Sequence, residues 1–392
     1  MTDSPLQRRR ALFLFFLVTG LAVASWVTRT PAIRDQLEVT LSEMGLILLS
    51  ISIGAMTGIL SSGKLVERLG TKAVITAGML MMLSGLLLLG AGLSCKLVPG
   101  VAAGLMLFGL GIGVGEIALN VEGAEVERIM RKPALSNLHA GFSLGTFIGG
   151  LIGIGLSSIA FPVSWHVTLT ALATLPPTLW ALRAIPPGLG QHSACTQAAD
   201  TRKPSIWQDK QLLCIGLIVL GMALAEGSAT DWIPLLMVDD HGFDAATGSM
   251  IYTGFAGMMA LGRFSGDFFL ARFSRASVVR TSALLGVIGI GLVIFADHPY
   301  LAATAVLFWG LGTSLGFPLA ISAAGDTGNN PVARVGLVAT AGYVAFLVGP
   351  PLLGFLGEHF TLRYALLVVL FFVGLAFILA PAVTPGKHSH HA

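Results

Sequence analysis

The stretch HAGFSLGTFIGGLIG, His139–Gly153, returns 201 residues later as TAGYVAFLVGPPLLG, Thr340–Gly354. The same offset sets GLGIGVG (Gly109–Gly115) against GLGTSLG (Gly310–Gly316), and GLAVA (Gly20–Ala24) against GMALA (Gly221–Ala225). In a chain of 392 residues that offset means two copies of one unit. Both copies are strongly apolar: 54% of all residues are hydrophobic, only 11% are charged, and mean hydropathy is +0.83. A soluble domain carries about a quarter charged residues, so the solvent this chain is built for is lipid.

A membrane-crossing helix needs about 20 mostly apolar residues. Spans are predicted near 11–28, 44–63, 73–94, 99–120, 138–160 and 165–184, then near 211–237, 248–270, 276–296, 299–323, 335–357 and 362–383. The expected fold is an all-α membrane protein with twelve transmembrane helices in two six-helix pseudo-symmetric halves. The N-terminal half is 1–184 and the C-terminal half, with a short tail, is 211–392. Residues 185–210, with Pro186, Pro187, Asp200, Arg202, Lys203 and Pro204, read as a cytoplasmic linker. Arg8-Arg9-Arg10 ahead of an apolar run resembles a signal peptide. Eleven more apolar segments follow it, so the first span is expected to remain as an anchor.

Basic residues orient the bundle. With the N-terminus in the cytoplasm, the inner segments hold 18 of the 23 Lys and Arg residues, against Arg29, Arg34, Lys96 and Arg363 outside and Arg263 within a span. Shifting the count by one span would scramble this alternation. Both termini are therefore placed inside. Cys95, Cys195 and Cys214 show no paired spacing, so no disulfide framework, metal site or cofactor is expected. A nucleotide-binding loop and a soluble domain large enough for an enzyme are also missing from the pattern, as is any basic patch for nucleic acid.

Four motifs carry chemistry. After the second span comes Gly63-Lys64-Leu65-Val66-Glu67-Arg68-Leu69-Gly70-Thr71-Lys72. It resembles the loop between spans two and three of the major facilitator superfamily, with Glu67 where Asp is usual and Thr71 replacing a basic residue. The glycines allow a helix end and close approach. The carboxylate is suited to cap a helix start or to pair with an arginine, a cytoplasmic gating latch. In the second copy, aligned here by an offset of 204, Glu67 falls on Ala271, and only Arg272 survives opposite Arg68.

Gly141-xxx-Gly145-Thr146-xx-Gly149-Gly150 resembles the antiporter motif of drug exporters in the superfamily, with Thr146 where Pro is usual; small residues at this spacing are first a helix-packing device. Glu116-Ile-Ala-Leu-Asn120 looks like an element of span four in sugar–proton symporters related to the fucose permeases, where the carboxylate serves proton coupling or substrate handling. The Asp that those permeases place late in span one is absent here, where Val27-Thr28-Arg29-Thr30-Pro31 stands. The whole chain is most similar to bacterial inner-membrane facilitators near the fucose permeases.

Ionisable groups at membrane depth are expensive and are candidates for function. Glu116 and Asn120, four residues apart, share one helical face. Glu116 is read as a proton carrier or as one partner of a structural pair, for instance with Arg29. Glu226-Gly-Ser-Ala-Thr-Asp231-Trp232-Ile-Pro234 predicts a bent or broken span seven. There Glu226 is the better buried acid and Asp231 the wetter, with Trp232 a stacking face. Glu226 falls opposite Ser25 in the repeat and Glu116 opposite Phe317, so each acid belongs to one half only. Trp26, Trp309, Phe142, Tyr343 and Arg29 are further cavity candidates. Arg263 is expected to pair with Asp267 or to bind an anionic substrate, and His139 to be a cap or a solvated group. The Lys387–His391 tail is expected to be solvated.

These features imply a monomeric secondary transporter in a bacterial inner membrane. It moves a small polar solute by alternating access, with Glu116, Glu226 and Asp231 as proton-coupling candidates. Export of amphipathic compounds and ligand sensing without transport are the alternatives.

Overall fold

In the computed structural model of the chain, residues 4–131, 135–191, 209–326 and 331–384 are described, the side chains of 135–137, 267 and 331–333 apart. The chain divides into two compact units, one of residues 1–196 with 244–253, the other of 197–243 with 254–392. Most of the proposed linker and the His-rich tail lie outside the described residues.

The first unit holds α1 (Pro5–Val27), a short α2 (Thr30–Leu37), α3 (Leu41–Leu69), α4 (Thr71–Ser94), α5 (Val98–Met130), α6 (Leu135–Ser158) and α7 (Val163–Leu182). Local signals set their ends. A capping box opens α3: the Glu43 amide donates to Thr40 Oγ1 at 3.3 Å and the Thr40 amide donates to the Glu43 carboxylate at 2.8 Å. Gly70, at φ 81°, both ends α3 and starts α4, a left-handed angle that costs a glycine little.

Small residues then let the helices approach. A methyl group at Gly145 of α6 would overlap the Leu17 carbonyl of α1, and one at Gly113 of α5 would overlap the Ala55 carbonyl of α3. In lipid, where apolar burial does not drive association, such backbone approach is what holds helices together. Gly141, Gly145 and Gly149 of the pattern thus form a packing face for α1.

The second unit holds α8 (Lys210–Asp239), α10 (Arg275–Phe295), α11 (Pro299–Thr313), α12 (Gly316–Asp326), α13 (Pro331–Phe360), α14 (Leu362–Ala365) and α15 (Leu367–Leu379). The helix α9 (Ala245–Leu270) contributes 245–253 to the first unit and the rest to the second. Ten segments among the described residues are long and apolar enough to cross a membrane. The helices α7 and α9 take the sixth and eighth places in the chain order, which completes twelve.

Three segments depart from expectation. The helix α8 is continuous through Gly227 and Pro234, not broken. Ser228 and Thr230 turn their hydroxyls back to the Leu224 and Glu226 carbonyls, so these two hydroxyls are met within the helix. The break falls instead in the tenth span, between α11 and α12, where Thr313 and Ser314 donate to the Trp309 and Leu311 carbonyls. In addition, α5 runs ten residues beyond the predicted end, to Met130, which puts Glu116 near the middle of a 33-residue helix.

Candidate functional site

In the second unit the decisive contact joins α8 to α9. Arg263 Nη2 donates to Glu226 Oε1 at 2.8 Å, with side chains 37% and 19% exposed. The pair is therefore reached by solvent but partly desolvated. The expected i, i+4 partner of Arg263, Asp267, has its side chain outside the described residues. Glu226 and Asp231 are both half-buried, so the expected contrast between a buried and a wet acid is not present.

Trp232 and Trp309, read as cavity-lining rings, are 1% and 0% exposed. They are core residues. Trp309 packs edge-on to Phe255 with centroids 6.0 Å apart, a favoured geometry for an aromatic pair. Tyr343 is half-buried in α13.

In the first unit, Glu116 is exposed on α5, and no hydrogen bond or ion pair holds it among the described residues. The pairing of Glu116 with Arg29 is not formed. Arg29 is 4% exposed and donates to the Phe161 carbonyl at 2.5 Å. Asn120 Oδ1 lies 3.2 Å from His139 Nε2, and the His139 ring lies 4.7 Å from that of Phe16. His139 is therefore a partner of the candidate Asn120, a tertiary contact between α5 and α6 that one-dimensional spacing cannot show. Trp26 is 2% exposed and edge-on to Phe108, again core and not cavity. Phe142 is half-buried in α6.

The loop motif is built differently from its expected form. Gly63 has nothing close to it, and Glu67 and Arg68 are exposed. No side chain caps α4, so Glu67 is not its cap. Lys72 is half-buried. The carboxylate that reaches the loop is Glu122, fully buried on α5. It accepts from Thr71 Oγ1 and from Arg8, whose Nε donates to Glu122 Oε2 at 2.6 Å. The Thr71 amide also donates to the Leu189 carbonyl at 2.9 Å. Thr71, one of the two residues that depart from the family pattern, thus helps tie α1, α4, α5 and residue 189 together. Spacing alone does not show this clasp: the orientation rule accounts for Arg8, and Glu122 lies beyond the predicted end of its span.

In the second unit Arg272, in the turn after α9, stacks on Phe268, 3.7 Å from the ring centroid, and donates to the Phe268 carbonyl, a local arrangement at the helix end. The buried arginine is Arg334, which donates to Asp209 Oδ2 at 2.5 Å. Burial pushes the Asp209 carboxyl up, but the Arg334 guanidinium and the Leu212 amide outweigh that and hold it below its ordinary value. Asp209 also caps α8. Among the described residues no group of three His, Cys, Asp or Glu gathers as a metal would need.

Comparison with known proteins places this architecture. The Major Facilitator Superfamily profile matches residues 11–335 and 232–392. The chain is 28% identical over 369 residues to an uncharacterized transporter of Sinorhizobium fredii, covering 94% of this chain and 96% of that one. Its fold is shared with the nucleoside transporter NupG (TM-score 0.72, 15% identity, 98% of each chain). It is shared also with a variant of the E. coli fucose:proton symporter FucP (TM-score 0.63, 17% identity, 98% of this chain and 100% of that one). The chain is a multi-pass membrane transporter belonging to the Major Facilitator Superfamily.

Proposed function

We propose that the protein is a proton-coupled secondary transporter that moves a small polar solute, sugar-like or similar, across a bacterial inner membrane by alternating access. Its two halves are 1–184 and 211–392, with both termini in the cytoplasm. The observation that carries this reading is the Glu226–Arg263 pair, at 2.8 Å within the spans of the second unit. A carboxylate at membrane depth is stable when it is paired or protonated. When Glu226 takes a proton, the pair loses its charge attraction and Arg263 is released. Proton binding therefore changes what a solute meets at this place, which is the elementary requirement for coupling.

Glu116 supports the same reading. An exposed, unpartnered carboxylate in the middle of α5 is tolerable only on a wetted face, and Asn120 with His139 lies one turn further along. Two proteins of the same fold are named for related cargo, a nucleoside in one case and fucose with a proton in the other. Gly145 seats α6 on α1, so the glycine pattern has a packing use that does not depend on export.

The test is a thermal-shift screen of the purified protein against sugars, nucleosides, organic acids and lipophilic cations, followed by flux of any hit in proteoliposomes. Stabilisation by a polar solute whose uptake follows an imposed pH gradient supports the proposal. Stabilisation by lipophilic cations alone, or binding without flux, contradicts it.

A further inference from the structure

The outer end of the first unit buries a positive charge with no negative partner. The helix α1 ends at Val27 and α2 starts at Thr30, which leaves Arg29 at the corner. Its guanidinium is 4% exposed. Nη2 reaches the Phe161 carbonyl at 2.5 Å, while Nε and Nη1 are buried without a hydrogen-bond partner. The acids nearest in sequence are engaged elsewhere, Asp35 by Arg34 and Glu38 by Lys96.

A second unmet group stands close by. Phe161 lies just before α7, and His166 in the first turn of α7 is 3% exposed, with a buried Nδ1 that has no partner. The two side chains are near enough for the Arg29 charge to act on His166. No side chain caps the start of α7, so the positive end of a 20-residue helix adds to the same field. A buried guanidinium is costly unless a counter-charge meets it. Here the guanidinium charge and the positive helix end converge beside an unpartnered imidazole nitrogen, and the described residues bring no carboxylate to them.

We propose that Arg29 and His166 form a binding site for a small monovalent anion, either chloride or the carboxylate of a solute that the protein carries. Only the carboxylate alternative rests on the transport reading above. The guanidinium supplies Nε–H and Nη1–H as donors, and His166 supplies Nδ1. The weak hydration of guanidinium relative to ammonium suits it to a buried anion.

The experiment is thermal melting of the full-length purified protein in a sodium isethionate background at constant ionic strength. Isethionate is replaced stepwise by chloride in one series and by acetate in another. The expected result is a melting temperature that rises saturably with one of the two anions by a few degrees, a response lost in Arg29→Gln and weakened in His166→Gln. A response to chloride identifies a resident ion, and a response to acetate alone identifies a carboxylate subsite. Should Arg29→Gln fail to fold, Arg29→Lys, which keeps the charge but not the fork, is expected to respond with a raised midpoint. A wild-type protein indifferent to both anions, or a response unchanged in the Arg29 variants, overturns the proposal. No gradient or flux enters this measurement, so its failure is separate from a failure of the transport reading.

Discussion

Arg8 and Asp209 occupy the same place in the repeat, 201 residues apart, and carry opposite charges. Each opens the first helix of its unit and meets a buried partner of complementary sign: Glu122 for Arg8 and Arg334 for Asp209. The partners are not repeat mates. Glu122 sits late on α5, while Arg334 sits near the start of α13. The duplication has therefore kept a polar clasp at the entrance of both units while inverting its charge and moving its partner.

The Arg8–Glu122 clasp sets the first prediction. Removing one member of a buried pair strands the other, at a cost of about 3–5 kcal/mol. Arg8→Met and Glu122→Leu are each expected to lower the melting temperature strongly, and the double variant is expected to regain most of the loss. Equal, additive losses would show that the two side chains do not interact.

Asp209 gives a pH dependence. Its folded-state value lies below the unfolded one of about 3.9, so its stabilisation is present above that pH and fades as pH falls through the lower folded value. The melting-temperature gap between wild type and Asp209→Asn is expected to be constant from neutral pH down to about 5, then to narrow below about 4. A gap that widens in acid would contradict the assignment.

Glycine substitutions separate packing from motif resemblance. Gly145→Ala forces a methyl group onto the Leu17 carbonyl of a neighbouring helix and is expected to cost about 1–3 kcal/mol. Gly63→Ala, with open space around it, is expected to change stability by no more than about 1 kcal/mol, helped by the helix preference of alanine. Melting curves of the two variants in one detergent measure the difference.

The span count and the repeat were legible because apolar length and glycine spacing are local properties of the chain. So was the packing use of Gly145. The pairings were not. Arg263 has Asp267 one turn away in its own helix, and nothing in one dimension says that it reaches across to Glu226. Trp26, Trp232 and Trp309 look alike as aromatic faces beside polar residues, yet neighbouring helices bury all three. Pro234 predicts a bend or break, yet α8 runs on through it from Lys210 to Asp239. Glu122 was overlooked because a span was expected to end where its polar residues begin, whereas Arg8 and Thr71 let the helix carry that charge onward.

Glu226 carries the central claim, and proton movement driven by solute tests it most directly. Proteoliposomes loaded with a pH-sensitive dye would be challenged with a solute found by the thermal screen. Wild type is expected to admit protons along with the solute. Glu226→Gln is expected to bind the solute and exchange it across the membrane while proton-driven accumulation falls roughly 5- to 150-fold, the usual range of coupling between two sites. Unaltered solute-driven proton entry in Glu226→Gln would contradict the account.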